Sequence, residues 1–153
     1  MKKTFLLFIL FFGLATAQSQ ELKWHTDVKE AISIGNKEHK PLLLFFTGSD
    51  WCGWCIRLQK EVLLTPEFAK WADENVILVE LDYPRRTAQT DEIKKQNGEL
   101  QQAFAIQGFP TIHFANASDK EGKVNFEGLG KTGYVAGGPA AWLAEANKIL
   151  LKK

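Results

Sequence analysis

Pro41-Leu42-Leu43-Leu44-Phe45-Phe46-Thr47-Gly48-Ser49-Asp50-Trp51-Cys52-Gly53-Trp54-Cys55 decides the fold. Its first half is a short, unbroken apolar run, the pattern of a strand buried on both faces. Ile56 to Leu64, which follow it, read as a helix. Both cysteines of the chain therefore fall at a strand-to-helix turn, with Cys52 at the helix start. Free backbone N–H groups and the positive end of the helix dipole stabilise an anion there. A thiolate is the nucleophilic form of cysteine, and such a position lowers its pKa. Cys55, one helical turn on, is near enough to close a disulfide. Placement and pattern together predict a dithiol/disulfide redox centre.

Upstream, Asp27-Val28-Lys29-Glu30 has capping-box spacing and opens a helix to about Glu38, with Val28, Ala31, Ile32 and Gly35 on one face. Leu22 to His25 form a short edge strand. Downstream, Thr65-Pro66-Glu67 restarts a helix carrying Phe68, Ala69, Trp71 and Ala72. Val76 to Asp82 is the strongest strand of the chain. Arg85 to Gly98 is polar and predicts a surface excursion with at most a helical turn near 91–96. Glu99 to Ile106 reads as a helix with Leu100, Ala103 and Phe104 inward. Thr111–Ala115 is a strand, Asn116–Gly122 a turn and Val124–Glu127 the returning strand. Gly128 to Gly130 and Gly133 to Gly138 are loops. Pro139 marks the start of a last helix over Ala140–Leu151. The order is α/β: two βαβ crossovers, then an antiparallel hairpin and a helix, giving a mixed sheet of four to five strands flanked by helices.

The chain opens with Met1-Lys2-Lys3, an apolar run from Thr4 to Leu14 and Ala15-Thr16-Ala17. That is the layout of a secretory signal cleaved after Ala17, and the run is too short to span a bilayer. Removing residues 1–17 from the 153-residue chain leaves 136, the size of one domain over 18–153. With Lys2 and Lys3 gone, 17 basic residues face 18 acidic ones, a net −1. No basic block supports nucleic-acid binding. Export to a periplasmic or extracellular space favours disulfides. A bridge across two residues closes so small a loop that its value is chemical rather than structural.

Element order, the Trp-Cys-x-x-Cys turn and Gly108-Phe109-Pro110-Thr111 ahead of the hairpin together resemble the thioredoxin superfamily over essentially the whole mature chain. Phe46 to Cys55 and Tyr134-Val135-Ala136-Gly137-Gly138 look most like its exported members. The resemblance implies a thioredoxin fold and exchange of disulfides with protein clients through Cys52 and Cys55, without cofactor or metal. It implies a cis Phe109–Pro110 peptide lying against the cysteines and offering backbone to an extended client segment. Trp51, Gly53 and Trp54 complete the site so implied. Trp54 either restricts approach to the sulfurs or is ordinary surface packing.

The chain departs from the family in four ways. Gly53-Trp54 stands where thioredoxin has Gly-Pro and disulfide isomerases have a histidine. Phe45 and Phe46 occupy the region of a buried aspartate, for which Glu80 is a candidate substitute. Lys60 replaces a helix proline. These differences bear on the direction of electron flow; reductase is slightly favoured over oxidase or isomerase, and a reductase outside the cytoplasm implies a membrane electron donor. The expected assembly is a monomer. A binding or chaperone-like module on the same fold is the alternative. A zinc site built from the cysteines and scattered His25, His39 and His113 is weaker still. GxGxxG, GxxxxGK[ST] and GxSxG patterns are absent.

Overall fold

The computed structural model describes residues 22–151; the signal and cleavage site expected at 1–17 lie outside these residues. Five strands form one sheet: β1 (Trp24–His25), β2 (Leu42–Thr47), β3 (Ile77–Asp82), β4 (Thr111–Lys120) and β5 (Lys123–Thr132). Their spatial order is β1-β3-β2-β4-β5. β1 and β2 both run parallel to β3, while β4 is antiparallel to β2 and β5 to β4. The helices are α1 (Val28–Glu38), α2 (Gly53–Leu58), α3 (Pro66–Asn75), α4 (Asp91–Ala103) and α5 (Gly138–Leu150), with a π-helical turn at Gln59–Leu63 extending α2. This is the mixed, helix-flanked sheet that the sequence predicts.

β2 is buried along its whole length, so alternate residues feed two cores. Leu43 and Phe45 join Leu78, Ile112 and Phe114 under α2, α3 and α5, where Phe68, Trp71 and Trp142 pack. Leu42, Leu44 and Phe46 face the other way, onto α1 and α4. Cys52 and Cys55 belong to the first core. Local sequence sets the helix starts. The Asp27 carboxylate accepts the Lys29 and Glu30 N–H groups, and Thr65 Oγ1 accepts that of Phe68 ahead of Pro66.

Two expectations are corrected. First, much of the 85–98 excursion is helix: Thr90 caps α4 through the Ile93 N–H, with Asp91 and Glu92 in the first turn. Gly98 sits inside α4 with open space around it rather than ending anything. Asn97 is buried on that helix, donating to the Asp82 carbonyl at 2.9 Å, whereas Ala103 faces solvent. Second, the hairpin is longer. Asn116–Asp119 and Gly128–Gly130 pair within β4 and β5, and the turn is Glu121-Gly122 alone. Both turn residues have positive φ, 54° and 79°, as a two-residue hairpin turn demands. A bulge interrupts the pairing of β4 with β5. Phe114 faces Gly130 and Ala115 faces Gly128, leaving Leu129 as the extra residue.

Candidate redox site at the end of the second strand

β2 ends at Thr47, and the chain turns through Gly48–Trp51 into α2. The Gly48 carbonyl accepts the Trp51 and Cys52 N–H groups, at 3.2 and 2.8 Å. A Cβ on Gly48 would collide with the Trp51 indole, so only glycine lets the ring lie back over the turn. Cys52 is the N-cap of α2, and its sulfur accepts the Cys55 N–H at 3.2 Å. Cys52 and Cys55 form a disulfide with Cα atoms 5.2 Å apart. Cys52 keeps 6 % of its surface exposed and Cys55 none. An attacking or attacked group therefore reaches Cys52 first.

The turn is pinned to the end of β3. Ser49 donates both its N–H and its hydroxyl to the Asp82 carboxylate, and the Trp51 indole N–H donates to the Tyr83 carbonyl at 2.8 Å. Asp50 accepts the backbone N–H groups of Arg85, Arg86 and Thr87 at 3.0, 2.7 and 3.2 Å. These bonds, the Arg85 one foremost, hold its carboxyl below the usual carboxylate range, helped by the Arg86 charge and opposed by partial desolvation. A lowered pKa means the clasp is present above the ordinary aspartate value and lost as pH falls through the lowered one. Asp50→Ala is therefore expected to speed amide hydrogen exchange at Arg86 and Thr87 at neutral pH. The parent protein should show the same increase only as pH falls through that lowered value.

The Phe109–Pro110 peptide is cis. Phe109 meets the Trp51 ring edge-on at 5.6 Å and the Tyr83 ring at 5.2 Å. Thr111 Oγ1 donates to the Gly108 carbonyl. The Gly133 backbone passes close to the Pro110 carbonyl. Tyr134, next in the chain, touches the Trp54 ring at 5.2 Å, with the Arg57 guanidinium over both rings. Glu61 accepts from Arg57 Nε and the Tyr134 hydroxyl. Trp54 is 55 % exposed and Gly53 open to solvent. The structure thus gathers Trp51, Cys52, Gly53, Trp54, Cys55, Phe109 and Pro110 at one end of the sheet. It adds Tyr83, Arg85, Arg57 and Tyr134, which no spacing rule in the sequence marks.

Glu80 lies beside Phe45 in the β2–β3 register, on the sheet face that carries the cysteines, and is only half-buried. Burial, then the nearby Asp82 charge, raises its pKa. A raised acid stabilises the fold below its ordinary value and loses that contribution as pH climbs through the raised one. Glu80→Gln should therefore raise the melting temperature at neutral pH, and the advantage should vanish below about pH 4. Thermal unfolding across that range checks it.

The histidines lie apart: His25 on β1, His39 capping α1, and His113 on β4 against Phe104. Among the described residues there is no group of three or more histidine, cysteine or acidic side chains placed to hold a metal ion.

The sequence model of the thioredoxin-like domain matches residues 28–133. A Chlamydia pneumoniae protein named disulfide bond reductase DsbH is 36 % identical over 129 residues, 84 % of this chain and 73 % of that one. Thioredoxin-related protein DsbJ of the same organism is 35 % identical over 103 residues, 67 % of this chain but 30 % of its own length. Among solved structures, a DsbH oxidoreductase superposes with a TM-score of 0.75 at 32 % identity, covering 86 % of each chain. A Thermus thermophilus thioredoxin matches in fold, with a TM-score of 0.61 at 20 % identity, over 87 % of this chain and 90 % of that one.

Proposed function

Because the chain belongs to the thioredoxin-like domain family, we propose that it is a thiol-disulfide oxidoreductase acting on protein clients, and a reductase by preference. Cys52 is the attacking residue. Its thiolate forms a bond to one sulfur of a client disulfide and expels the other as a thiolate, which takes up a proton. Cys55 then loses its proton and attacks Cys52, closing the Cys52–Cys55 bond and releasing the client's second sulfur. Two electrons pass from the dithiol to the client. Run backwards, the same steps oxidise a client dithiol.

The observation that carries this reading is the inequality of the two sulfurs. Cys52 caps a helix and touches solvent, while Cys55 is fully buried one turn behind it. That inequality supports capture by the first and release by the second. Trp51, Gly53 and Trp54 shape the approach, and the Phe109–Pro110 loop offers its backbone to the client. The name of the 36 % identical relative supports reduction as the direction. Equilibration with glutathione buffers tests direction: a potential near −270 mV fits a reductase, and one near −120 mV an oxidase.

The whole of residues 18–153 is one domain in this reading, working as a monomer outside the cytoplasm after loss of residues 1–17. Among the described residues no helix is long and apolar enough to cross a membrane. A reductase so placed draws its electrons from a membrane donor. A binding module without turnover is the second reading, favoured by Phe45, an apolar side chain where the resemblance leads one to expect an acid.

A further inference from the structure

Arg85 lies over the Trp51 ring with its guanidinium carbon 4.0 Å from the ring centre. Trp51 directly precedes Cys52. Arg57 likewise lies over Trp54, the residue between Gly53 and Cys55. Two arginine–tryptophan pairs thus involve residues next to the two cysteines in the chain. Two acids of this region are already engaged. Asp50 is used by the three backbone N–H groups of Arg85–Thr87, and Glu61 by Arg57 and Tyr134. Among the described residues no carboxylate forms an ion pair with Arg85, while the Arg86 charge acts on Asp50. Both arginines are exposed. The Asp50 clasp fixes the backbone that carries them, so less order has to be imposed when a partner binds.

Resting on the oxidoreductase reading, we propose that Arg85, stacked on Trp51 and backed by Arg86, selects clients that carry acidic side chains next to their reactive cysteine. A guanidinium held flat against a ring keeps its N–H edge free for a carboxylate, and the fork geometry suits two parallel hydrogen bonds. A client cysteine bonded to Cys52 sets its neighbouring residues against Trp51, within reach of Arg85. Acidic neighbours gain there and basic ones are repelled. Arg85 is a specificity residue in this account; the bond exchange stays with the sulfurs.

The test uses the reduced full chain and a matched pair of short peptide disulfides, one with glutamates flanking the cysteine and one with lysines. A small uncharged disulfide serves as reference. At low ionic strength the acidic peptide should be reduced roughly tenfold faster than the basic one. Salt should shrink that ratio toward one. Arg85→Glu should abolish or invert it, and Arg85→Lys should keep part of it, because the charge remains without the fork. Using a ratio within each variant cancels any change in sulfur reactivity. Equal rates for the two peptides, or a ratio that Arg85→Glu leaves unaltered, would overturn the proposal while leaving the redox reading in place. Failure to exchange with any of the three disulfides would sink both.

Discussion

Cys52→Ser is expected to lose reduction of a protein disulfide such as insulin by roughly 10³-fold or more, since the attacking sulfur is gone and a hydroxyl does not replace it. Cys55→Ser should fail differently. Its Cys52 still attacks, but the residue that resolves the adduct is missing, so client and protein should accumulate as a mixed disulfide. Mass spectrometry of the two variants after exposure to an oxidised client separates these outcomes. The asymmetry follows from burial: Cys52 is the sulfur-bearing residue with surface, and Cys55 has none. If Cys55→Ser turned over while Cys52→Ser formed the adduct, the assigned roles would be reversed. If neither formed an adduct and the parent protein reduced nothing, the binding-module reading would take over.

The two cysteines were legible because their chemistry is written locally. An apolar strand followed by a helix places a Cys-x-x-Cys at a helix N-terminus whatever the rest of the chain does. The caps at Asp27 and Thr65 were legible for the same reason, since each depends on a side chain reaching a neighbour two or three residues on. The errors arose where local preference yields to pairing. Asn116, Ser118 and Asp119 favour turns, yet nine cross-strand pairs hold Ile112–Lys120 against β5. Gly98 favours a break, yet Ile93, Asn97 and Leu100 share one face of a helix that Thr90 caps.

The wall of the site is the part that sequence could not deliver. Tyr83, Arg85 and Tyr134 lie 29 or more positions from Trp54 or Cys52 in the chain, and each arrives through a contact between elements. Asp50 looks like a solvated turn acid until the loop after β3 is laid beside it. Tyr134 sits in a glycine-rich loop that gives no periodic signal, and its place is set by β5 and α5. Which of Phe45 and Phe46 faces the cysteines likewise depends on register: Phe45 joins their core, and Phe46 the opposite one.

That dependence of the wall on distant packing gives the second large effect, at Trp142. This residue of α5 is fully buried among Phe68, Trp71 and Phe114, with ring centres 5.6 to 6.4 Å away. Its indole N–H donates to the Gly133 carbonyl at 3.0 Å, immediately before Tyr134. Trp142→Ala removes a large apolar side chain from the core and should cost about 3–5 kcal/mol. In a domain of this size that lowers the melting temperature by roughly 10 °C or more. Trp142→Phe keeps most of the packing but leaves the Gly133 carbonyl without its donor, a loss of about 1–3 kcal/mol. The Phe variant should also free Tyr134, since Gly133 both accepts that bond and runs against the Pro110 carbonyl. Denaturant unfolding measures the first effect, and hydrogen exchange across residues 133–136 the second. A Phe variant as stable as the parent, with unchanged exchange there, would mean that the loop is held from the Trp54 side by Arg57 and Glu61, and that α5 contributes packing alone.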